Sequence, residues 1–267
     1  MSHLEWLSLS FNGFTGTIPH EYGELSNLAI FEITDNRITG QIPTTFFRQP
    51  TELLQLNVAA NDLTGSIPSE FGRLTKLHSL FYFETLLSGS LPTEIGNLQN
   101  IRNFWLYGNL LTGTIPSSIG QLSLLKALKL SSNSIGGPIP SEMGMLTNME
   151  EFLFAGNDMR GTTIPEELWN VIGMIWLDLN DDTLGGTLST NVGKMSNLKG
   201  FKASRNTFRG TIPAELGQLD DLILLWVHLN NFSGSMPMEV CMLRDTTGLR
   251  YLNADCGGDT PEVACPR

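Results

Sequence analysis

Residues 53–76 read LLQLNVAANDLTGSIPSEFGRLTK and hold one full copy of a unit that recurs along almost the whole chain. Written as a pattern, the unit is LxxLxLxxNxLTGxIPxxxGxLxx. Its copies follow one another every 24 residues, with one extra residue in two copies and three in the last. They begin at Leu4, Leu28, Leu53, Leu77, Ile101, Leu125, Met149, Met174, Leu198 and Leu222. A fixed period of this length indicates a solenoid in which each repeat forms one coil.

The first part of the unit alternates apolar and variable residues, which is typical of a strand with one buried face. In the copy quoted above, Leu56 and Val58 should point inward. Gln55, Asn57 and Ala59 should point outward. One such strand cannot bury its apolar face alone, whereas stacked copies can. The pattern therefore predicts a parallel sheet with one strand from each coil.

An asparagine follows the strand in most copies, where the chain turns inside the stack. Since an amide both donates and accepts, a column of asparagines can satisfy the backbone of its own coil and of its neighbour. Thr85 and Asp182 replace it in two copies. Because threonine has one donor and an ionised aspartate only accepts, we expect either looser local packing or a rearranged hydrogen bond there. The glycine of the TG pair recurs in every copy, which indicates a backbone conformation that a side chain would obstruct.

The LTGxIP signature in a 24-residue frame resembles the plant-type leucine-rich repeat of receptor-kinase ectodomains, receptor-like proteins and polygalacturonase-inhibiting proteins. The resemblance implies a right-handed superhelix of about ten coils with a parallel β-sheet on the concave face. It also implies a short β-stripe and 3-10 or short helical turns on the convex side.

Within this frame, residues 1–248 hold ten repeats and residues 249–267 form a C-terminal cap that is cut short. The paired-cysteine N-terminal cap of the family is missing. The tail that begins at Cys241 and includes LRYLNADCGGDTPEVACP resembles the caps of surface leucine-rich repeat proteins in unicellular algae such as diatoms.

Composition argues against several classes of function. A net charge of −11 disfavours nucleic-acid and anionic-membrane partners, which require clustered lysine and arginine. No apolar run reaches the length of about eighteen residues that would span a bilayer, although an anchor outside residues 1–267 is compatible with the pattern. The histidines lie in unrelated coils, and the glycines belong to the repeat rather than to a phosphate-binding loop. We therefore expect neither catalysis nor a cofactor.

A metal site is not expected either. Asp178, Asp181 and Asp182 follow a strand closely, but consecutive residues of a strand alternate between its faces and do not converge on one ion.

The cysteines Cys241, Cys256 and Cys265 all lie near the C-terminal end, which favours a disulfide-stabilised cap and hence an extracellular or cell-surface location. Three pairings are possible, and the positions around the coil favour Cys241–Cys265. Asn231 begins an Asn-Phe-Ser triplet and is the candidate glycosylation site.

Two groups of outward-facing residues are candidate ligand-binding sites. The first combines Phe81, Phe83, Trp105 and Tyr107 in a two-by-two aromatic patch on neighbouring strands. Such patches often mark interaction surfaces, although cross-strand pairing that stabilises the sheet, or a dimer contact, would explain it equally well. The second mixes aromatic, acidic and basic side chains and consists of Trp176, Asp178, Asn180, Lys202, Trp226 and His228.

The sequence thus predicts a non-enzymatic recognition module, the extracellular ectodomain of a receptor or receptor-like protein. Its concave face would bind a peptide, glycan or protein. The alternative is a structural or adhesive protein of the cell surface or wall, or a secreted inhibitor of a foreign hydrolase, because one fold supports many functions.

Overall fold

A computed structural model describes residues 3–47, 52–246 and 248–254 of the chain. The chain divides into two units, residues 1–135 and 136–267, and each is described separately.

The first unit is a stack of short parallel strands. Its strands are β1 (Trp6–Ser8), β2 (Thr15–Thr17), β3 (Ile30–Glu32), β4 (Arg37–Gly40), β5 (Gln55–Asn57), β6 (Asp62–Leu63), β7 (Ser79–Phe81), β8 (Ser88–Ser90), β9 (Asn103–Trp105), β10 (Leu110–Thr112) and β11 (Ala127–Lys129). The main sheet has the order β1-β3-β5-β7-β9-β11, and every pair in it is parallel. Each of its strands comes from the next copy of the repeat, as the period predicts.

The second unit repeats this arrangement. Its strands are β12 (Glu151–Leu153), β13 (Trp176–Asp178), β14 (Gly200–Lys202), β15 (Arg209–Gly210), β16 (Leu224–Trp226), β17 (Asn231–Phe232) and β18 (Tyr251–Asn253). The main sheet runs β12-β13-β14-β16-β18, again with parallel pairs only. The predicted leucine-rich repeat solenoid with its parallel sheet is therefore confirmed in each unit.

The chain returns through 3-10 helices, as predicted. They are His20–Glu24, Thr44–Phe47, Ser69–Arg73, Thr93–Asn97, Ser117–Gln121, Ser141–Met145, Glu166–Asn170, Thr190–Lys194 and Ala214–Gln218. A proline in extended conformation precedes most of them; Pro68, for example, has φ −77° and ψ 159°. One segment differs from the expected short turn: Met238–Thr246 forms an α-helix, α1, of nine residues. It lies in the copy that carries three extra residues, which give the return side room for an α-helix.

The core consists of the apolar positions of the repeat. Leu56 and Val58 are fully buried, whereas Gln55 and Asn57, on either side of Leu56, are partly exposed. The period-2 prediction is confirmed within the strand, but Ala59, which was expected to point outward, is fully buried. Every copy adds the same apolar set, so the core continues from coil to coil within each unit.

The asparagine column forms the predicted ladder. Asn61 Nδ2 donates to the carbonyl oxygens of Val58 and Ala59 in its own coil and of Ile33 in the preceding one, at 2.9–3.2 Å. Its Oδ1 accepts the backbone N–H of Ile38 at 3.0 Å. One buried amide thus satisfies backbone groups of two coils.

Both substituted ladder positions show rearranged hydrogen bonds. The Thr85 hydroxyl donates to Asn109 Oδ1 at 2.6 Å. Asp182 Oδ1 accepts the backbone N–H of Asn157 at 2.8 Å, while its own N–H donates to Asn206 Oδ1.

The TGxI segments form the second β-stripe in pieces. In the first unit, β2, β4 and β6 form one short parallel sheet and β8 pairs with β10; in the second unit, β15 pairs with β17. The glycine of the TG pair has a positive φ, 94° at Gly65, which explains its recurrence.

Candidate ligand-binding surfaces

The first candidate surface is the aromatic cluster, which consists of Phe81, Phe83, Trp105 and Tyr107 on the open face of the first unit's sheet. Strands β7 and β9 pair with Phe81 opposite Trp105, and Phe83 and Tyr107 follow two residues later. The centroids of Phe81 and Trp105 lie 4.8 Å apart, edge to face, and Phe83 stacks on Tyr107 at 4.5 Å with an interplanar angle of 12°. All four side chains are half-buried. The structure therefore brings together the four residues predicted from the sequence.

Charged groups lie on two sides of the aromatic cluster. Lys129, on the next strand, places its Nζ 4.2 Å from the centre of the Trp105 ring, a cation–π contact. Burial, followed by the charge of nearby Glu84, raises the pKa of the Tyr107 phenol. The cluster thus offers apolar ring surface with a cation near one strand and a carboxylate near another.

The second candidate surface, called here the mixed zone, lies on the open face of the second unit's sheet. Its members are Trp176, Asp178, Asn180, Lys202, Trp226 and His228. Strands β13, β14 and β16 place Asp178, Lys202 and Trp226 side by side. Lys202 Nζ lies 3.0 Å from Asp178 Oδ2 and 5.1 Å from the centre of the Trp226 ring. The structure therefore groups the charged and aromatic residues that the sequence predicted.

Gly200 shapes the mixed zone and was not predicted from the sequence. It lies opposite Trp176 in the sheet register. A Cβ atom on Gly200 would lie only 2.1 Å and 2.2 Å from Cζ3 and Cε3 of Trp176. The indole therefore extends sideways across β14 into the space left by the missing side chain. The sequence signal that could have indicated this contact is a glycine at an outward strand position, 24 residues after a tryptophan at the same position of the preceding copy.

Some polar groups of the mixed zone are engaged within the protein. Asn180 Oδ1 accepts the backbone N–H of Ser204 at 2.7 Å, and Asp178 Oδ1 accepts the backbone N–H of Asn180 at 3.2 Å. Ser204 Oγ and His228 Nδ1 are buried without a hydrogen-bond partner among the residues that the structure describes. Asn180 thus forms a hydrogen bond with the backbone of the next coil, just after β14. The side chains of Asp178 and Lys202 remain partly exposed.

Asp182 is the most perturbed acid near this zone. It is fully buried, and burial raises its pKa to about 8. The hydrogen bond from the backbone N–H of Asn157 lowers this pKa, whereas the negative charges of Asp178 and Asp181 raise it further. The sequence pattern led us to expect an ionised Asp182. The structure corrects this, because a carboxyl with such a pKa is mostly protonated at neutral pH.

The remaining candidate residues concern processing rather than ligand binding. Cys241 is buried and disulfide-bonded. Cys256 and Cys265 lie outside the described residues, so the pairing stays a prediction. Asn231 is exposed on β17, which leaves it accessible as a glycosylation candidate.

Across residues 3–47, 52–246 and 248–254, no helix has the length and hydropathy needed to cross a bilayer. Within the same ranges, no three histidine, cysteine, aspartate or glutamate side chains are grouped as metal ligands would be.

Comparison with known proteins identifies the repeats. The family model for Leucine Rich Repeat matches residues 3–25, 52–74, 100–122 and 124–146. Receptor-like protein 41 of Arabidopsis thaliana is 43% identical over 61 residues, which are 21% of this chain and 7% of that protein.

Solved receptor structures are similar to this chain. A TDR receptor has a TM-score of 0.88 and 32% identity over 96% of this chain. The Arabidopsis receptor kinase HAESA, solved in complex with the peptide hormone IDA and the co-receptor SERK1, has a TM-score of 0.88 and 27% identity over 96% of this chain. The chain spans 44% and 42% of the length of these two proteins, less than half of each.

Proposed function

Since this chain is built of leucine-rich repeats homologous to plant receptor-like proteins and to the ectodomains of plant receptor kinases, we propose that it is a non-catalytic extracellular recognition module that binds a peptide. The peptide docks on the aromatic cluster. The observation that carries this proposal is the contact of four aromatic side chains, in register, on the open face of the sheet.

The chemistry of the cluster suits a short extended peptide. Trp and Tyr rings provide rigid contact area at a low cost in side-chain entropy, and they are enriched among residues that dominate binding energies. The exposed Glu84 can pair with a basic group of the peptide beside the rings. HAESA, a structural relative, is seen with a peptide hormone, which supports this class of ligand.

An extracellular location fits the described residues. Cys241 is disulfide-bonded, and structural disulfides persist mainly in oxidising compartments. The similar receptor ectodomains point the same way.

The experiment selects short random peptides, displayed on phage, against the immobilised chain and measures the affinity of a selected peptide by calorimetry. The variant Trp105→Ala/Tyr107→Ala should weaken binding by at least about tenfold, because it removes two central aromatic anchors. The control Leu110→Ala removes an exposed apolar side chain outside the cluster, on β10, and should leave affinity unchanged.

The thermal midpoint of each variant separates binding from packing. If the rings only stabilise the sheet, the double variant loses stability while the selected peptide binds as before, and the proposal fails. It also fails if no peptide is selected, and the adhesive and inhibitory alternatives would then be pursued.

A further inference from the structure

We propose that the second unit carries a separate site for a neutral, β-linked oligosaccharide, centred on the indole of Trp176. This site does not depend on the peptide proposal, because it uses different residues in a different unit. Its defining feature is a tryptophan that lies across an adjacent strand instead of projecting away from the sheet.

Gly200 creates this arrangement. With a Cβ only 2.1 Å from Cζ3 of Trp176, any other residue at position 200 would displace the ring. The backbone of Gly200 does not have the positive φ that would itself require glycine. The missing side chain therefore serves the position of the ring, which is 36% exposed.

A ring in this position suits a sugar. The pyranose rings of β-linked glucans carry equatorial hydroxyls, which leave the axial C–H bonds on the two ring faces. Those C–H bonds are weakly positive and pack against the negative face of an indole. A flat aromatic surface without a deep pocket matches such a sugar ring better than it matches a projecting peptide side chain.

The neighbouring polar groups suit hydroxyls. Asp178 accepts and Lys202 donates, and both side chains are partly exposed, at 16% and 27%. A sugar hydroxyl does both at once, so one hydroxyl can bridge such a pair. Because the two charges lie 3.0 Å apart and offset one another, the pair favours a neutral ligand over an acidic or basic one.

Trp226 extends the site. It lies on β16, two strands from Trp176 and two residues further along, which at the usual strand spacing and rise places the two backbone positions roughly 12 Å apart. This separation is about the length of two linked sugar rings. The site therefore fits an oligosaccharide rather than a single sugar.

The test is calorimetric titration of the purified chain with cellohexaose, a β-1,4-linked glucan, and with maltohexaose, its α-1,4-linked isomer. We expect cellohexaose to bind more tightly, because its chain is extended and flat whereas the α-linked chain curls. Trp176→Ala should weaken cellohexaose binding by at least about tenfold. Gly200→Ala should also weaken cellohexaose binding, because the new methyl group displaces the Trp176 ring although Trp176 itself is retained.

Trp6→Ala is the matched control. Trp6 also faces outward from a strand and is 62% exposed, but its neighbour in the sheet register is Ile30 rather than a glycine. This variant should bind cellohexaose as the unsubstituted chain does, and circular dichroism should show that all three variants keep the fold.

Several results would overturn the proposal. They are failure to bind cellohexaose, equal affinity for the two isomers, and unchanged affinity in folded Trp176→Ala or Gly200→Ala. Capture of selected peptides that depends on Trp176, without sugar binding, would reassign the surface to a peptide.

Discussion

Replacing Asp182 with asparagine should change how the stability of the protein depends on pH. Asp182 occupies a ladder position that holds asparagine in most copies, and it is fully buried. Its Oδ1 accepts the N–H of Asn157, while its Oδ2 has no partner among the described residues. At the corresponding position Asn61 donates through Nδ2 to backbone carbonyls. An amide at position 182 can donate in the same way at every pH.

The sign of the effect follows from proton binding. The pKa of Asp182 is raised from 3.8 to about 8 in the folded chain, mainly by burial. Between these values the folded protein holds a proton that the unfolded chain releases. The stabilisation is therefore fully present below about pH 4 and decreases as the pH rises, until it is lost above about pH 8.

The magnitude follows from the same linkage. Each pH unit in this window should lower the free energy of unfolding by about 1.4 kcal/mol, which gives about 3 kcal/mol between about pH 5 and about pH 7. Asp182→Asn removes this contribution. The variant should be more stable than the unsubstituted chain at neutral pH, and the difference should shrink steadily towards acid pH.

Urea unfolding followed by tryptophan fluorescence at several pH values measures this difference. Asp181→Asn is the matched control, since Asp181 is the adjacent acid and its side chain is exposed. It should leave the pH slope nearly unchanged. Equal pH slopes for Asp182→Asn and the unsubstituted chain would refute a protonated Asp182 in the ladder.

Two further predictions concern the stacking of coils, and both are measured as free energies of unfolding in urea. Asn61→Ala should lower the free energy of unfolding by about 2–4 kcal/mol, because it leaves buried backbone groups of two coils unpaired. Asn12→Ala, at an exposed position of the same column, should lower it by less than about 1 kcal/mol. Equal losses in the two variants would contradict the stabilising role of the asparagine ladder. Gly72→Ala should lower the free energy of unfolding by about 1–3 kcal/mol, since its Cβ would lie 2.5 Å from the backbone oxygen of Glu94. Gly13→Ala has open space around its Cβ and should change this free energy by no more than about 0.5 kcal/mol. An unchanged free energy of unfolding in Gly72→Ala would show that the backbones of adjacent coils do not pack in close contact at this position.

The period of the sequence predicted the fold. Leu56 and Val58 alternate with outward residues in a copy whose spacing is constant, so their burial followed from the pattern. The same spacing predicted that Phe81 lies opposite Trp105, because equivalent positions of adjacent coils share a row of the sheet. Because the pattern repeats at a constant spacing, it predicted which residues of adjacent coils lie next to each other in the folded chain.

Features that depend on packing between particular side chains were not predicted. Trp176 was recognised as an outward residue, but its sideways position over Gly200 depends on two residues 24 positions apart. Asp182 was recognised as an exception, but its protonation depends on burial, which a residue-type rule does not supply. The α-helix Met238–Thr246 was missed because the three extra residues of that copy were counted but not interpreted as room for a longer helix.

The most direct test of the proposed function is hydroxyl-radical footprinting of the chain with and without a selected peptide. The proposal requires reduced oxidation of Phe83, Trp105 and Tyr107 in the complex. Oxidation of Met145, which is 63% exposed in a 3-10 helix, should stay unchanged. Protection of Met145 with full oxidation of the three aromatic residues would contradict the account and move the ligand to the return side of the coils.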